Sequence, residues 1–373
     1  MGNEHHRIPL GMDSAFERGT VGSGSYLAGD AHILLTPVAL MPMGVLEKEQ
    51  LIQRRDRHYS EMLCLEEAPS PAHMAFFEQA MRHGARRLAS GVKALALGLA
   101  ARYPGPSIAL VSLVRAGLPV GVLLRRALLE LGRDVHHYGV SIVRGRGIDS
   151  VALGHVIARH GARAIAFVDG WTGKGAIATE LHRSLASDGR FATPPRLVVL
   201  ADPCGRAWMA ASAQDWLIPS GMLGATVSGL ISRSVWPTDG GLHGCVVQGH
   251  LGAHDITRPF IEQVNAARHA VEASPAAPWA PQQAHALQTA AGQALDGLAE
   301  RFGAHDMNRI KPGIAEATRA VFRRVPDQVL VRDRSDPDVR LLIHVAERLG
   351  IETCEVGAAL GPYRAVTLIR EVN

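Results

Sequence analysis

The sequence predicts an α/β protein, a parallel sheet flanked by helices and followed by a small second α/β domain. Two observations predict it. Short apolar runs of strand length alternate with stretches of helical spacing between residues 108 and 200, and a tract with three prolines divides the chain near residue 275. A parallel strand is buried on both faces and reads as a continuous apolar run, whereas the helix after it needs only one apolar stripe. Prolines among alanines neither continue a helix nor enter a central strand.

In chain order, residues 108–114 (IALVSLV) form the first run and end at Arg115-Ala116-Gly117, with helical spacing over 118–131. Residues 164–168 (AIAFV) end at Asp169-Gly170, and a helix is expected over 175–186. Residues 197–200 (LVVL) end at Ala201-Asp202-Pro203. In such βα units ligands sit at the carboxyl ends of the strands. The tract 273–282 is read as a linker between a domain of residues 1–272 and one of residues 283–373. In the second domain, helices are expected over 313–324 and 336–349, and strands over 328–331, 353–356 and 365–369.

Composition narrows the class. A chain of 373 residues suggests about two domains. With 47 % hydrophobic and 20 % charged residues it can bury a sizeable core. The net charge of +4 does not mark the whole chain as a nucleic-acid binder, and lysine appears only as Lys48, Lys93, Lys174 and Lys311. Cys64, Cys204, Cys245 and Cys354 make no C-x-x-C pair, which argues against a zinc ribbon or disulfide scaffold and fits a reducing cytoplasm. No secretory leader is read at the start. Residues 108–131 are broken by Arg115, Pro119, Arg125 and Arg126, so no membrane span is expected. The histidines form no H-E-x-x-H, and no protein-held metal is indicated.

Three strand-to-helix junctions carry candidate chemistry. In Asp169-Gly170-Trp171-Thr172-Gly173-Lys174-Gly175, glycines admit a phosphate to the backbone, and N–H groups at a helix start point at it. The Thr172 hydroxyl can donate to that phosphate, and Asp169 can accept from ribose hydroxyls. The plain alternative is a tight turn with an ordinary helix cap. A Walker A loop does not fit, because Lys174 follows Gly170 too soon and precedes Gly175. Arg115-Ala116-Gly117 offers a cation and free N–H groups suited to a pyrophosphate, or else a simple turn with a solvated arginine. Arg144-Gly145-Arg146-Gly147 reads as a mobile, doubly cationic loop able to close over a polyanion, or as a solvated hairpin turn.

These residues resemble a phosphoribosyltransferase of the type I fold. Residues 169–175 resemble its motif for 5-phosphoribosyl-1-pyrophosphate (PRPP), 112–117 its pyrophosphate loop and 144–149 its flexible loop. Tyr59-Ser60-Glu61-Met62, residues 112–117, residues 141–149 and Thr226-Val227-Ser228-Gly229-Leu230 are similar to a bacterial family of tellurite-resistance and stress operons, often labelled cysteine protease StiP. The tail resembles the Pelota-type RNA-binding domain, an L7Ae-like α/β fold. The resemblance implies ribose 5-phosphate transfer from PRPP to an unknown, nitrogenous acceptor, in nucleoside-like metabolite synthesis. It assigns the 5′-phosphate to Thr172, Gly173, Lys174 and Gly175, the ribose to Asp169, and the pyrophosphate to Arg115, Ala116 and Gly117, with Gly170 also among the PRPP-binding residues. Arg144 and Arg146 close over it. Mg²⁺ arrives on PRPP, held by phosphate oxygens and water. A homodimer is the family's common state. The usual acidic pair is reduced to Asp169 by Gly170, and Gly175 stands where a threonine is common.

Two rival readings follow. A PRPP-sensing RNA-binding regulator would use Arg319 and Arg323, which lie on one helix face, with Arg332 and Arg334; the bland reading is a solvated face interleaved with acids. A cysteine protease would need a histidine beside Cys64 or Cys245, and His243 is near Cys245 in sequence.

Overall fold

The computed structural model describes residues 19–103, 105–304 and 306–372. Its first part runs β1 (His32–Ile33), β2 (Thr36–Pro37), α1 (Val45–Gln53), α2 (Pro71–Arg102), β3 (Ser107–Leu113), α3 (Gly117–Glu130), β4 (Asp134–Val140), β5 (Ile142–Val143), β6 (Gly147–Ile148), α4 (Ser150–His160), β7 (Ile165–Val168), α5 (Ala176–Leu185), β8 (Leu197–Val199), β9 (Met209–Ala210), β10 (Gly244–Cys245) and α6 (Thr257–His269). The second runs α7 (Pro281–Arg301), β11 (Ile310–Pro312), α8 (Ile314–Arg323), β12 (Pro326–Val331), α9 (Arg340–Arg348), β13 (Glu352–Glu355) and β14 (Ala365–Ile369).

Six strands pair in the order β1-β4-β3-β7-β8-β9, every pair parallel. Alternation along β3 divides the core. Ile108 and Leu110 face the side covered by α2, α3 and α6, while Ala109, Val111 and Leu113 face α4 and α5. Helix α2, 32 residues long, is not among the elements the sequence predicts. Its start carries a legible signal, because the Ser70 hydroxyl accepts from His73 N (3.2 Å) and Pro71 occupies the first turn. No helix among the described residues is long and apolar enough to cross a membrane.

Two glycines let α3 lie against the sheet. A Cβ on Gly117 would stand 2.2 Å from the Val168 carbonyl oxygen, and one on Gly121 would stand 2.1 Å from Ser112 Oγ. Gly117→Ala must therefore push α3 off β7 or distort the turn before it. We expect a loss of about 1–3 kcal/mol, the usual cost of overpacking, read as a lower melting temperature.

In the second part the sheet order is β11-β14-β12-β13, with β12 and β13 parallel and the other pairs antiparallel. The helix expected over 336–349 starts as the 3₁₀ turn Pro337–Val339 before α9. Ile314, Ala317 and Val321 of α8 and Leu341 and Leu342 of α9 share one apolar cluster with Leu88 and Leu95 of α2. The proline tract lies against the first part. Ala276 N donates to Ala94 O (2.8 Å), Trp279 N to Trp208 O (3.0 Å), and the Trp279 indole to Asp202 Oδ2 (2.8 Å).

Candidate functional site

A cavity of about 360 Å³ opens where the carboxyl ends of the central strands meet α8. Eight cationic side chains and two carboxylates, Asp169 and Glu316, line it. Three of the chain's four lysines, Lys48, Lys174 and Lys311, are among them.

Asp169 follows β7 directly. Its amide donates to Val198 O (3.0 Å), and its Oδ1 accepts from Gly170 N (2.8 Å). Burial pushes this carboxyl up to about 7, against the opposing pull of that N–H and of Arg319. Strand-like pairing continues past Asp169, because Trp171 bridges to Ala201 and Thr172 N donates to Ala201 O (2.9 Å). The turn proper is therefore Gly173-Lys174-Gly175, with Gly175 at φ 80° as the residue before α5. The N–H groups of Gly173, Lys174 and Gly175 have no acceptor among the described residues.

The side chains of this loop are engaged elsewhere. The buried Thr172 hydroxyl donates to Asp202 Oδ1, and Lys174 Nζ donates to Met307 O and, at 3.3 Å, to Ile310 O. Tyr363 Oη donates to Gly173 O (3.1 Å). A Cβ on Gly173 would stand 2.6 Å from Glu316 Oε2. The second part of the chain thus rests directly on the expected phosphate loop.

Arg115 is buried and committed as well, donating to Glu66 Oε2 and to Ile231 O, both at 2.9 Å. Burial raises the Glu66 pKa, but Arg115 and Arg323 outweigh it and hold the carboxylate at about 2. Ala116 lines the cavity, and Gly117 packs behind it on Val168. The Arg144–Gly147 segment expected to be mobile is the tight β5–β6 hairpin. Gly145 N donates to Glu180 Oε2 (2.6 Å), Arg144 N to Tyr59 Oη (2.8 Å), and His58 Nε2 lies 3.1 Å from Arg144 O. Arg144 reaches the cavity, over the Tyr59 ring. Arg146 turns away, pairing with Glu61 and lying over Trp236.

The four arginines expected to meet RNA are not one face. Arg319 and Arg323 line the cavity, the first 4.6 Å from the Trp171 ring centroid and the second 3.5 Å from Glu66. Arg334 instead donates to Thr353 O (2.8 Å), and the Arg332 Nε is buried with no hydrogen-bond partner among the described residues. Helical spacing correctly joined 319 to 323, but it says nothing about what the helix packs against.

The remaining cations were missed. Lys48 comes from α1, Lys311 from β11, Arg233 from a loop and Arg324 from the end of α8. Burial, followed by neighbouring cations, lowers Lys48 to about 8 and Arg323 to about 10, and burial lowers Arg233 to about 10 against the opposing pull of Tyr59 and Cys64. It lowers Lys311 to about 7, despite Glu316, and Arg319 to about 9. A signal for them was present in the rarity of lysine.

A second cavity of about 390 Å³ adjoins the first and shares Lys48, Arg233, Arg319 and Arg323 with it. Cys64 and His73 both line it. The His73 ring, however, stacks on Phe322 and lies 2.9 Å from Met222 O. Cys204 is buried against Thr172 and Asp202, and burial raises its thiol pKa. Burial likewise pushes Cys245 up to about 12. His243 sits 2.5 Å from Ser141 Oγ. Among the described residues no group of three or more His, Cys, Asp or Glu side chains could hold a metal.

Residues 24–265 match the family described as tellurite-like stress resistance cysteine protease StiP, and residues 289–371 match the PELOTA RNA binding domain. A protein of Acinetobacter baylyi named cysteine protease StiP is 48 % identical over 364 residues, covering 94 % of this chain and 95 % of its own. Solved structures are more distant. The hypoxanthine phosphoribosyltransferase of Trypanosoma cruzi matches at 15 % identity and a TM-score of 0.28, over 34 % of this chain and 77 % of its own. A glycine decarboxylase (P-protein) matches at 14 % identity and a TM-score of 0.24, over all of this chain and 96 % of its own. Neither similarity bears on fold or function at such scores. With the family model spanning the sheet and its strand-end loops, and near full-length identity to the Acinetobacter protein, the chain belongs to the StiP family of tellurite-like stress resistance proteins.

Proposed function

We propose that the cavity binds PRPP as its magnesium complex and transfers ribose 5-phosphate to a nitrogenous acceptor, within a stress-resistance role. The observation that carries this reading is the junction at β7. A carboxylate and three unspent N–H groups at the start of a helix face a cavity whose cations outnumber its carboxylates eight to two. The N–H groups of Gly173, Lys174 and Gly175 take the 5′-phosphate. Asp169 accepts from the ribose hydroxyls. Arg144 faces the pyrophosphate, and Arg115, fixed by Glu66, shapes the loop at Ala116 and Gly117. Magnesium enters on the substrate, where phosphate oxygens and water satisfy its coordination. The bond from ribose C1 to pyrophosphate oxygen breaks, a bond from C1 to the acceptor nitrogen forms, pyrophosphate departs with its electron pair, and the acceptor's N–H proton passes to solvent. The protein's task is to orient both partners and exclude water. The adjoining cavity, with Phe322 and Leu63 on its wall, has room for the acceptor.

The test is pyrophosphate release from Mg²⁺-PRPP in the presence of candidate nitrogen bases. Release that depends on a base is expected; a protein that neither binds PRPP nor releases pyrophosphate overturns the reading.

A second reading, RNA binding, draws on the PELOTA match over residues 289–371. With Arg319 and Arg323 turned into the cavity, RNA would meet the side bearing Arg334, whose guanidinium is 3.7 Å from Glu347. The protease name of the Acinetobacter relative finds less support in this chain, because among the described residues no cysteine sulfur has a histidine hydrogen-bond partner.

A further inference from the structure

Seven of the eight cations around the cavity fall into two groups; the eighth, Arg144, lies over the Tyr59 ring with no side-chain hydrogen bond or ion pair among the described residues. Lys174, Arg233, Arg323 and Arg324 are each held by protein carbonyls or carboxylates. Lys48 and Lys311 have no hydrogen-bond or ion-pair partner among the described residues, and Arg319 has only the Trp171 ring, with its Nε buried and unsatisfied. A cation taken out of water without a counter-charge either costs several kcal/mol or is driven to give up its proton, so an anion bound among these three would restore their charge and be held by it. Two of the three, Lys311 and Arg319, belong to the C-terminal part of the chain.

We propose that this C-terminal domain completes the small-molecule site, with Lys311 and Arg319 gripping the phosphate groups of the ligand opposite Asp169 and Lys48. The proposal rests on the PRPP reading for the ligand's identity, but the cavity's need for a polyanion stands apart from it. The domain is fixed in place for such a task. Asp215 accepts from Ile314 N at 3.1 Å, securing the start of α8, and also from Arg364 N at 2.9 Å. Arg324 pairs with Glu49 of α1 at the other end of the helix. Helical spacing then sets Arg319 over Trp171, beside Asp169.

Glu316 sharpens the prediction. Its carboxylate lies beside Gly173, on the same helix and facing the same cavity as Arg319. It repels an anion bound on the loop N–H groups, whereas Lys311 and Arg319 attract one. Substitutions within one domain should therefore change affinity in opposite directions, which a purely structural role of the domain does not produce.

The experiment is calorimetric titration of the full chain with two probes, Mg²⁺-PRPP and inorganic pyrophosphate, with melting curves checking that each variant is folded. Lys311→Gln and Arg319→Gln should each weaken both probes by about tenfold or more, the worth of a charge-assisted contact. Arg319→Lys should recover part of the loss, and Glu316→Gln should tighten both probes. If the wild type binds and the Lys311 and Arg319 variants bind equally well, this inference fails while the PRPP reading stands. If pyrophosphate binding depends on Lys311 but PRPP binds no tighter and ignores Asp169→Asn, the PRPP reading fails and the shared anion site remains. If neither probe binds the wild type, both fail.

Discussion

Asp169→Asn should abolish PRPP binding and, at the same pH, make the protein more stable. The two effects have one cause. The side chain ends the central strand β7 in a half-buried position, and burial pushes its carboxyl up to about 7. An unfolded aspartate titrates near 3.8. Between those values the folded chain holds a proton that the unfolded chain has released, so stability falls as pH rises from about 4 to 7 and levels off above. Asparagine keeps the oxygen that accepts from Gly170 N and never ionises. Its advantage should be small at pH 4 and grow to about 4 kcal/mol at pH 8, the opposing pull of Arg319 being already contained in the value of about 7. Paired melts at pH 5 and pH 8, with PRPP titrations at pH 8, read both halves. A variant that is destabilised at pH 8, or that still binds PRPP as the wild type does, contradicts the assignment.

The position of Asp169 is legible in the sequence. An apolar run ending at Asp169 already places an acid at a strand's carboxyl end, and the same pattern located Arg115 after β3 and Asp202 after β8. Period and run length carry this information because burial on both faces of a parallel sheet leaves few other sequences possible. Which side chains remain free for a ligand was not legible. Thr172 and Lys174 have the right chemistry for phosphate, yet one hydroxyl hydrogen goes to Asp202 and the ammonium to carbonyls at Met307 and Ile310. Those partners lie 30 or more residues away in sequence, and no local pattern announces them. Nor does the spacing of Arg319 and Arg323 reveal a cavity rather than solvent, since a charged stripe looks alike in both settings. The rare lysines were the better clue. In a chain whose cations are almost all arginine, three of four lysines meet at one place, and composition alone could have raised that question.

Asp202→Ala should be the most damaging single substitution around the site, although Asp202 is not placed against the ligand. It is fully buried after β8, and besides the nearby Cys204 thiol its two oxygens accept from four N–H and O–H donors. Oδ1 accepts from the Thr172 hydroxyl and from Arg206 N at 3.0 Å, while Oδ2 accepts from Ala207 N and the Trp279 indole, both at 2.8 Å. Each buried donor left without an acceptor costs about 1–3 kcal/mol, so a loss of roughly 4 kcal/mol or more is expected, a large part of the roughly 5–15 kcal/mol that holds a typical domain. The damage should spread in two directions. Releasing Thr172 loosens the turn whose N–H groups face the cavity, and releasing Trp279 frees the proline tract that leads into α7. Asp202→Asn keeps one acceptor and should fall between alanine and wild type. Thr172→Val removes a single donor and should cost far less. Denaturant melts of the three variants order these losses, and limited proteolysis near residue 279 reads the loosened tract. If Asp202→Ala melted like the wild type but lost PRPP binding, Asp202 would belong to the ligand's own shell and not to the frame beneath it.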